Sequence, residues 1–249
     1  MMKEYGIAFV MTQSMFCALP FPCHLWKEEA RNKMLLFLPV VGLEIGLLWT
    51  LLDWGLGYLN VPGLVCGLAM CAFPYLLTGF IHLDGFLDVT DAICSWRDLE
   101  QRRKILKDSH VGSFAVIWCV FLLLAGFAFL ASVPAEAQSG ILIFVPMISR
   151  CCSALAVSSL KPMGSSQYAG SQSSTPKWHN ILLAALEIGC VAAGFLLFGK
   201  YGLVLVGGLL GYGVALLRSY RSLEGMNGDI SGYCLTISEL CAVAVYALL

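Results

Sequence analysis

Apolar residues run in long blocks along this chain, and polar residues gather in a few short segments between them. Runs of about 20 apolar residues are long enough to cross a bilayer as helices. They occur at 34–52, 62–81, 112–131, 140–160, 180–199, 201–217 and 233–249, predicting seven spans. The fifth and sixth are separated only by Gly199, Lys200 and Tyr201, which predicts a tight helical hairpin. Residues 5–19 are too short and too polar to span. Thr12, Gln13 and Ser14 interrupt them and Pro20 and Pro22 follow, so they read as an interfacial or re-entrant helix and not as a secretory signal.

Composition narrows the class. Of 249 residues, 59% are hydrophobic and only 12% charged, about half the charge of an ordinary soluble domain. A soluble globule of this size has too little polar surface for such a chain. The expected fold is all-α: a polytopic integral membrane helical bundle forming one domain, 1–249. Within it, 1–33 is a cytoplasmic or interfacial N-terminal segment and 82–111 a cytoplasmic motif loop. The net charge of −1 offers no basic field for nucleic acid. The 11 cysteines, an odd number without CxxC or zinc-type spacing, read as small apolar packing residues.

Charge sets the expected orientation. Segments 1–33, 82–111, 161–179 and 218–232 carry 13 of the 15 Lys and Arg residues, whereas 53–61 and 132–139 carry none. The positive-inside rule places the basic segments in the cytoplasm of a multi-pass cell-membrane protein, with the functional face there too. Four ionisable residues fall inside spans: Glu44, Arg150, Glu187 and Glu239. Such groups usually face the bundle interior. Arg150 has two open readings, pairing with a glutamate to hold helices together or reaching a substrate phosphate.

Three polar patches share the predicted cytoplasmic face. The first is Ile81 to Asp91, where Asp84, Asp88 and Asp91 stand at i, i+4 and i+7, on one side of a helix. Carboxylates roughly 6 Å apart repel by about 3 kcal/mol per pair at an effective dielectric near 20, so a dry trio needs protons or a cation. Hard oxygen ligands suit Mg²⁺, Mn²⁺ or Ca²⁺. The plain alternative is a solvated acidic helix end. His82 reads equally as an acid/base, a phosphate ligand or a hydrogen-bonded interfacial histidine, and Gly85 as a place where a ligand approaches the backbone. The second patch, Arg102 to Gly112, is basic: either a loop touching anionic lipid or a phosphate-binding segment, with charge from Lys107, a hydroxyl from Ser109 and a further metal ligand in Asp108. The third, Gly225 to Gly232, places glycines including Gly228 around Asp229 and suggests a tight ligand-contacting turn.

These residues resemble the cobalamin synthase family, the adenosylcobinamide-GDP ribazoletransferases. The family pattern H-L-D-G-x-x-D-x-x-D-G is matched by His82, Leu83, Asp84, Gly85, Asp88 and Asp91, with Ala92 at the final glycine. A [KR]-D-S-R-x-G pattern is matched by Lys107, Asp108, Ser109 and Gly112, with His110 in place of arginine. A third, G-x-x-G-D-x-x-G, is matched by Gly225, Gly228, Asp229 and Gly232, with Glu239 beyond it and Thr236 at another glutamate position. Ser149-Arg150 and Tyr168-Ala169 also fit, although Gly170 stands where the family often has arginine. The resemblance runs in order from about 5 to 245.

It implies a Mg²⁺-dependent membrane enzyme. Such an enzyme joins adenosylcobinamide-GDP to α-ribazole or α-ribazole 5′-phosphate, releasing GMP, by phosphoryl transfer. Asp84, Asp88, Asp91 and Asp229, with Asp108, would hold one or two ions. Lys107 and Arg150 would offset phosphate charge, and Asp88, Asp91 or His82 would take the hydroxyl proton. Ser109, Gly85 and Gly228 would line the substrate. Competing readings are a CDP-alcohol phosphotransferase, whose D-G-x-x-A-R this chain lacks, and a corrinoid or cation transporter. Whether copies associate as a homo-oligomer stays open.

Overall fold

The computed structural model describes residues 2–23, 25–164 and 176–249, and these are helical apart from turns and one isolated bridge. Tyr168, Ala169 and Gly170 lie outside the described residues. The chain forms α1 (Met2–Phe16), α2 (Arg31–Met34), α3 (Leu38–Tyr58), α4 (Gly63–Leu77), α5 (Ile81–Cys94), α6 (Leu99–Ile105), α7 (Ser113–Ala131), α8 (Val145–Ser159), α9 (Lys177–Phe198), α10 (Gly202–Leu223) and α11 (Gly228–Leu248).

The all-α bundle is as the apolar runs predict, and the helices leave the exact count of seven spans unconfirmed. Five helical stretches are long and apolar enough to cross a membrane, and a sixth is added if α4 and α5 make one bent span. One of the five, Lys177–Leu223, contains 47 residues. It doubles back at Gly199, whose φ of +56° favours a residue without a side chain. Phe195 there packs on Gly202, and α9 lies against α10 as the expected hairpin. The run read as a second span, 62–81, gives only the 15-residue α4. It ends at a turn with Gly79 and Phe80 both at positive φ, and α5 leaves at 92° to it.

That turn changes the reading of 82–111. The segment expected as a motif loop is mostly α5 and α6, and α5 is packed into the bundle. Its hydrophobic residues Phe86, Val89 and Ala92 are buried in the same core as Ile230, Tyr233 and Cys234 of α11. The central helix, α11, lies against α5, α7, α8 and α10. Helix α1 ties in through polar contacts: Thr12 Oγ1 donates to Met34 O at 3.1 Å, and Gln13 Nε2 to Glu44 Oε1 at 2.5 Å.

Of the two open readings of Arg150, the pairing with a glutamate is present in the structure. Arg150 is 1% exposed. Its Nη1 donates to Glu239 Oε1 at 2.7 Å, to Pro146 O at 3.0 Å and to Ser149 Oγ at 3.3 Å. Ser149 Oγ also donates to Glu239 Oε1, at 2.9 Å. The pair clasps α8 to α11 and neutralises two charges that would be costly alone at this depth.

Candidate functional site

The three polar patches, far apart in sequence, meet around α5. The contact with the third patch is backbone to backbone. A Cβ built on Gly85 would lie 2.7 Å from Asp229 O and 3.0 Å from its Cα, and one on Gly232 would lie 3.1 Å from His82 O. Small residues let α5 and α11 touch in this way. Gly85 therefore admits a neighbouring helix where a ligand had been expected. The second patch arrives through Gly112, because a Cβ there would overlap the Asp91 carboxylate.

The start of α11 is held from two sides. Met163 N donates to Met226 O and Met226 N to Lys161 O, both at 2.9 Å, fixing the turn before the helix. Asn227 then caps α11: its Oδ1 accepts from Ile230 N at 2.9 Å, and its Nδ2 donates to Asp229 Oδ2 at 2.7 Å. Gly228 has nothing within 4 Å of where a side chain would begin. The open N-terminal turn of a long helix favours anions.

A cavity of about 210 Å³ lies at this junction, lined by His82 and Asp84 of α5, Asn227, Gly228, Asp229 and Ser231 at the start of α11, and Ser153 of α8, with apolar walls from Phe16, Leu35 and Val157. The His82 ring stacks on Phe16 with centroids 6.0 Å apart. Its Nε2 is buried without a hydrogen-bond partner. Ser153 and Ser231 hydrogen-bond each other across the cavity wall. Asp88 continues the acidic face of α5, half-buried, in the field of Asp84, Asp229 and Asp91. Among the described residues no ion pair joins any of these four aspartates to a base.

The remaining expected residues are placed differently. Lys107, Asp108 and Ser109 are exposed. Asp108 Oδ1 accepts from His110 N at 3.0 Å and lies 2.7 Å from His110 Nδ1. These hydrogen bonds hold its carboxyl below the usual carboxylate range. Arg150 is engaged by Glu239 and is not among the residues lining the cavity. Among the described residues, no three His, Cys, Asp or Glu side chains form a ready-made metal cage.

Three contributors had not been singled out from the sequence: Phe16, Ser153 and the cap role of Asn227. Asn227 precedes Gly228-Asp229 at a helix start, the ordinary signature of an N-cap. Ser153 sits one turn after Ser149, a polar row in an apolar helix. Phe16 carries no local signal.

Apolar helices able to cross a membrane several times, with an acidic pocket at one junction of the bundle, define a multi-pass α-helical membrane protein with a polar site. The comparisons narrow this class. A model of cobalamin-5-phosphate synthase matches residues 8–247. Similar proteins include adenosylcobinamide-GDP ribazoletransferases of Clostridium perfringens strain SM101, 37% identical over the whole of both chains, and of Clostridium botulinum strain Alaska E43, 31% identical over 96% of each. One from Methanosarcina barkeri strain Fusaro is 29% identical over all of this chain and 94% of its own. No solved structure matches. The chain belongs to the cobalamin-5-phosphate synthase family.

Proposed function

We propose that this chain transfers the adenosylcobinamide-phosphate group of adenosylcobinamide-GDP to α-ribazole or α-ribazole 5′-phosphate, releasing GMP, at the cytoplasmic face of the cell membrane. The observation that carries this reading is an acidic cavity shared by the first and third patches beside an open helix N-terminus, with the second patch reaching the same acidic face at Asp91. The names of the relatives agree with it.

Mg²⁺ fits the donor set by chemistry. Asp84, Asp88, Asp91 and Asp229 offer hard oxygen donors with no basic partner among the described residues, and Mg²⁺ usually takes one or two carboxylates and completes its shell with water and substrate phosphate. Bound there, the ion supplies charge neutralisation to a diphosphate. The chain's own groups do the rest. The first turn of α11, with Gly228 open and Asn227 as cap, receives phosphate oxygens. Lys107 and Ser109, exposed on the loop that reaches Asp91 through Gly112, add a cation and a hydroxyl to the phosphate side. His82, whose Nε2 has no partner, accepts the proton of the attacking hydroxyl, while Phe16 keeps its ring in place. Asp108, turned toward His110, belongs to the rim in this reading. Arg150 is a positioning residue, holding α8 and its Ser153 against α11.

The test is direct. Protein purified into nanodiscs, given adenosylcobinamide-GDP, α-ribazole and Mg²⁺, releases GMP in step with a new corrinoid product. Failure to release GMP defeats the proposal. Uptake of corrinoid into vesicles without GMP puts a transporter in its place.

A further inference from the structure

A second cavity, of about 330 Å³, lies on the other side of α5. At 3.6 residues per turn, its lining residues Phe86, Thr90 and Ile93 project away from Asp84, Asp88 and Asp91. Trp118 and Phe121 of α7 and Tyr233 of α11 complete walls that are almost wholly apolar. Trp118 and Phe121 are 49% and 61% exposed, so the groove opens on the flank of the bundle that meets lipid. The one charged group among its lining residues is Arg218.

At the Arg218 end a smaller cavity, about 180 Å³, continues the groove. It shares Ile93, Cys94 and Arg218 and adds Trp96, Arg102 and Ser222. Two guanidinium groups therefore stand at one end of an apolar slot. Among the described residues neither has a carboxylate partner. Arg102 Nη1 donates to Ser222 O at 3.3 Å, while its Nε is buried with no acceptor, a state that an incoming anion relieves. The neighbouring bases are committed: Arg103 donates to Leu223 O and Glu224 O at the end of α10, and Lys104 pairs with Glu100. Trp96, 87% exposed beside this mouth, is the residue type that marks a membrane interface.

We propose that this groove holds an anionic phospholipid, with one acyl chain along Phe86, Trp118, Phe121 and Tyr233 and its phosphate between Arg102 and Arg218. A free phosphate leaves the apolar slot unfilled. A neutral aromatic ligand leaves the buried Arg102 Nε without an acceptor. Only an amphiphile with a charged head answers both ends. The proposal is independent of the transferase reading, because it concerns the opposite face of α5.

The experiment is native mass spectrometry of the purified protein after exchange into micelles containing dioleoyl phosphatidylglycerol or dioleoyl phosphatidylcholine. These lipids share acyl chains and differ in head-group charge. The protein is expected to retain one phosphatidylglycerol in preference to phosphatidylcholine. Arg218→Ala lowers that retention about fivefold, the effect of one interfacial cation, and Arg218→Lys restores most of it. Ala125→Phe, which narrows the groove from α7, removes the bound lipid while leaving thermal stability within the range of surface variants. Equal retention of the two lipids, or Arg218→Ala and Ala125→Phe both binding like the parent, overturns the proposal. So does displacement of the lipid by α-ribazole at equal concentration, which would assign the groove to the aromatic substrate.

Discussion

The molecule keeps its charges in two ways. At the clasp of α8 and α11, Arg150 and Glu239 are buried at 1% and 8% exposure, and each answers the other at 2.7 Å. Along one face of α5, Asp84, Asp88 and Asp91 stand in a row near Asp229, and among the described residues none of the four pairs with a base. Opposite charges inside the bundle neutralise each other and join two helices, although Arg150 Nε is left without an acceptor. Like charges gathered at a cavity need protons, water or a cation to offset their repulsion. Charged residues thus serve packing in one region and stand without basic partners in the other among the described residues, and their partners tell the two apart.

The sharpest break of that comparison removes one half of the clasp. Glu239→Ala leaves Arg150 buried and unpaired and is expected to cost about 3–5 kcal/mol of stability, read as a large fall in melting temperature in detergent. The double variant Arg150→Met/Glu239→Leu removes both charges at similar volume and is expected to fold near parental stability. If it also releases GMP, Arg150 acts through packing alone; a folded but inactive double variant would give Arg150 a contact with substrate. Next in size, Asp84→Asn is expected to lower GMP release by about 10²–10³-fold, the scale of losing one electrostatic contact to a transition state, with stability changed by less than about 0.5 kcal/mol. A variant that lost stability and kept turnover would move Asp84 to the structural side of the comparison. Gly85→Ala forces α11 away from α5 and is expected to cost about 1–3 kcal/mol, with lower turnover because Asp229 shifts. Smallest, Asn227→Ala removes the cap of α11 and is expected to cost about 1 kcal/mol. Calorimetry of the purified protein separates these last two.

The acidic trio was legible in the sequence because its spacing is local: i, i+4 and i+7 fix a face wherever a helix forms. The hairpin was legible for the same reason, since only Gly199, Lys200 and Tyr201 stand between two apolar runs. The bend at 78–80 was hidden. Thr78, Gly79 and Phe80 interrupt hydropathy too little to show that the chain turns, so the run read as a longer span and α5 as a loop. The contact of Gly85 with α11 was hidden because a missing Cβ admits a ligand and a helix equally well, and only the position of Asp229 shows the helix. Phe16 and Ser153 come to the cavity from α1 and α8, and no local pattern announces a neighbour more than 60 residues distant in sequence.

The right angle between α4 and α5 has a consequence for how the reaction is housed. A straight rod through residues 63–94 would measure ~48 Å at 1.5 Å per residue, against a hydrocarbon layer of ~30 Å. The aspartates would then stand off in water on a stalk. Folded down, α5 lies against α11, so the carboxylates are carried by the bundle itself and a displacement of one helix start is felt by the other.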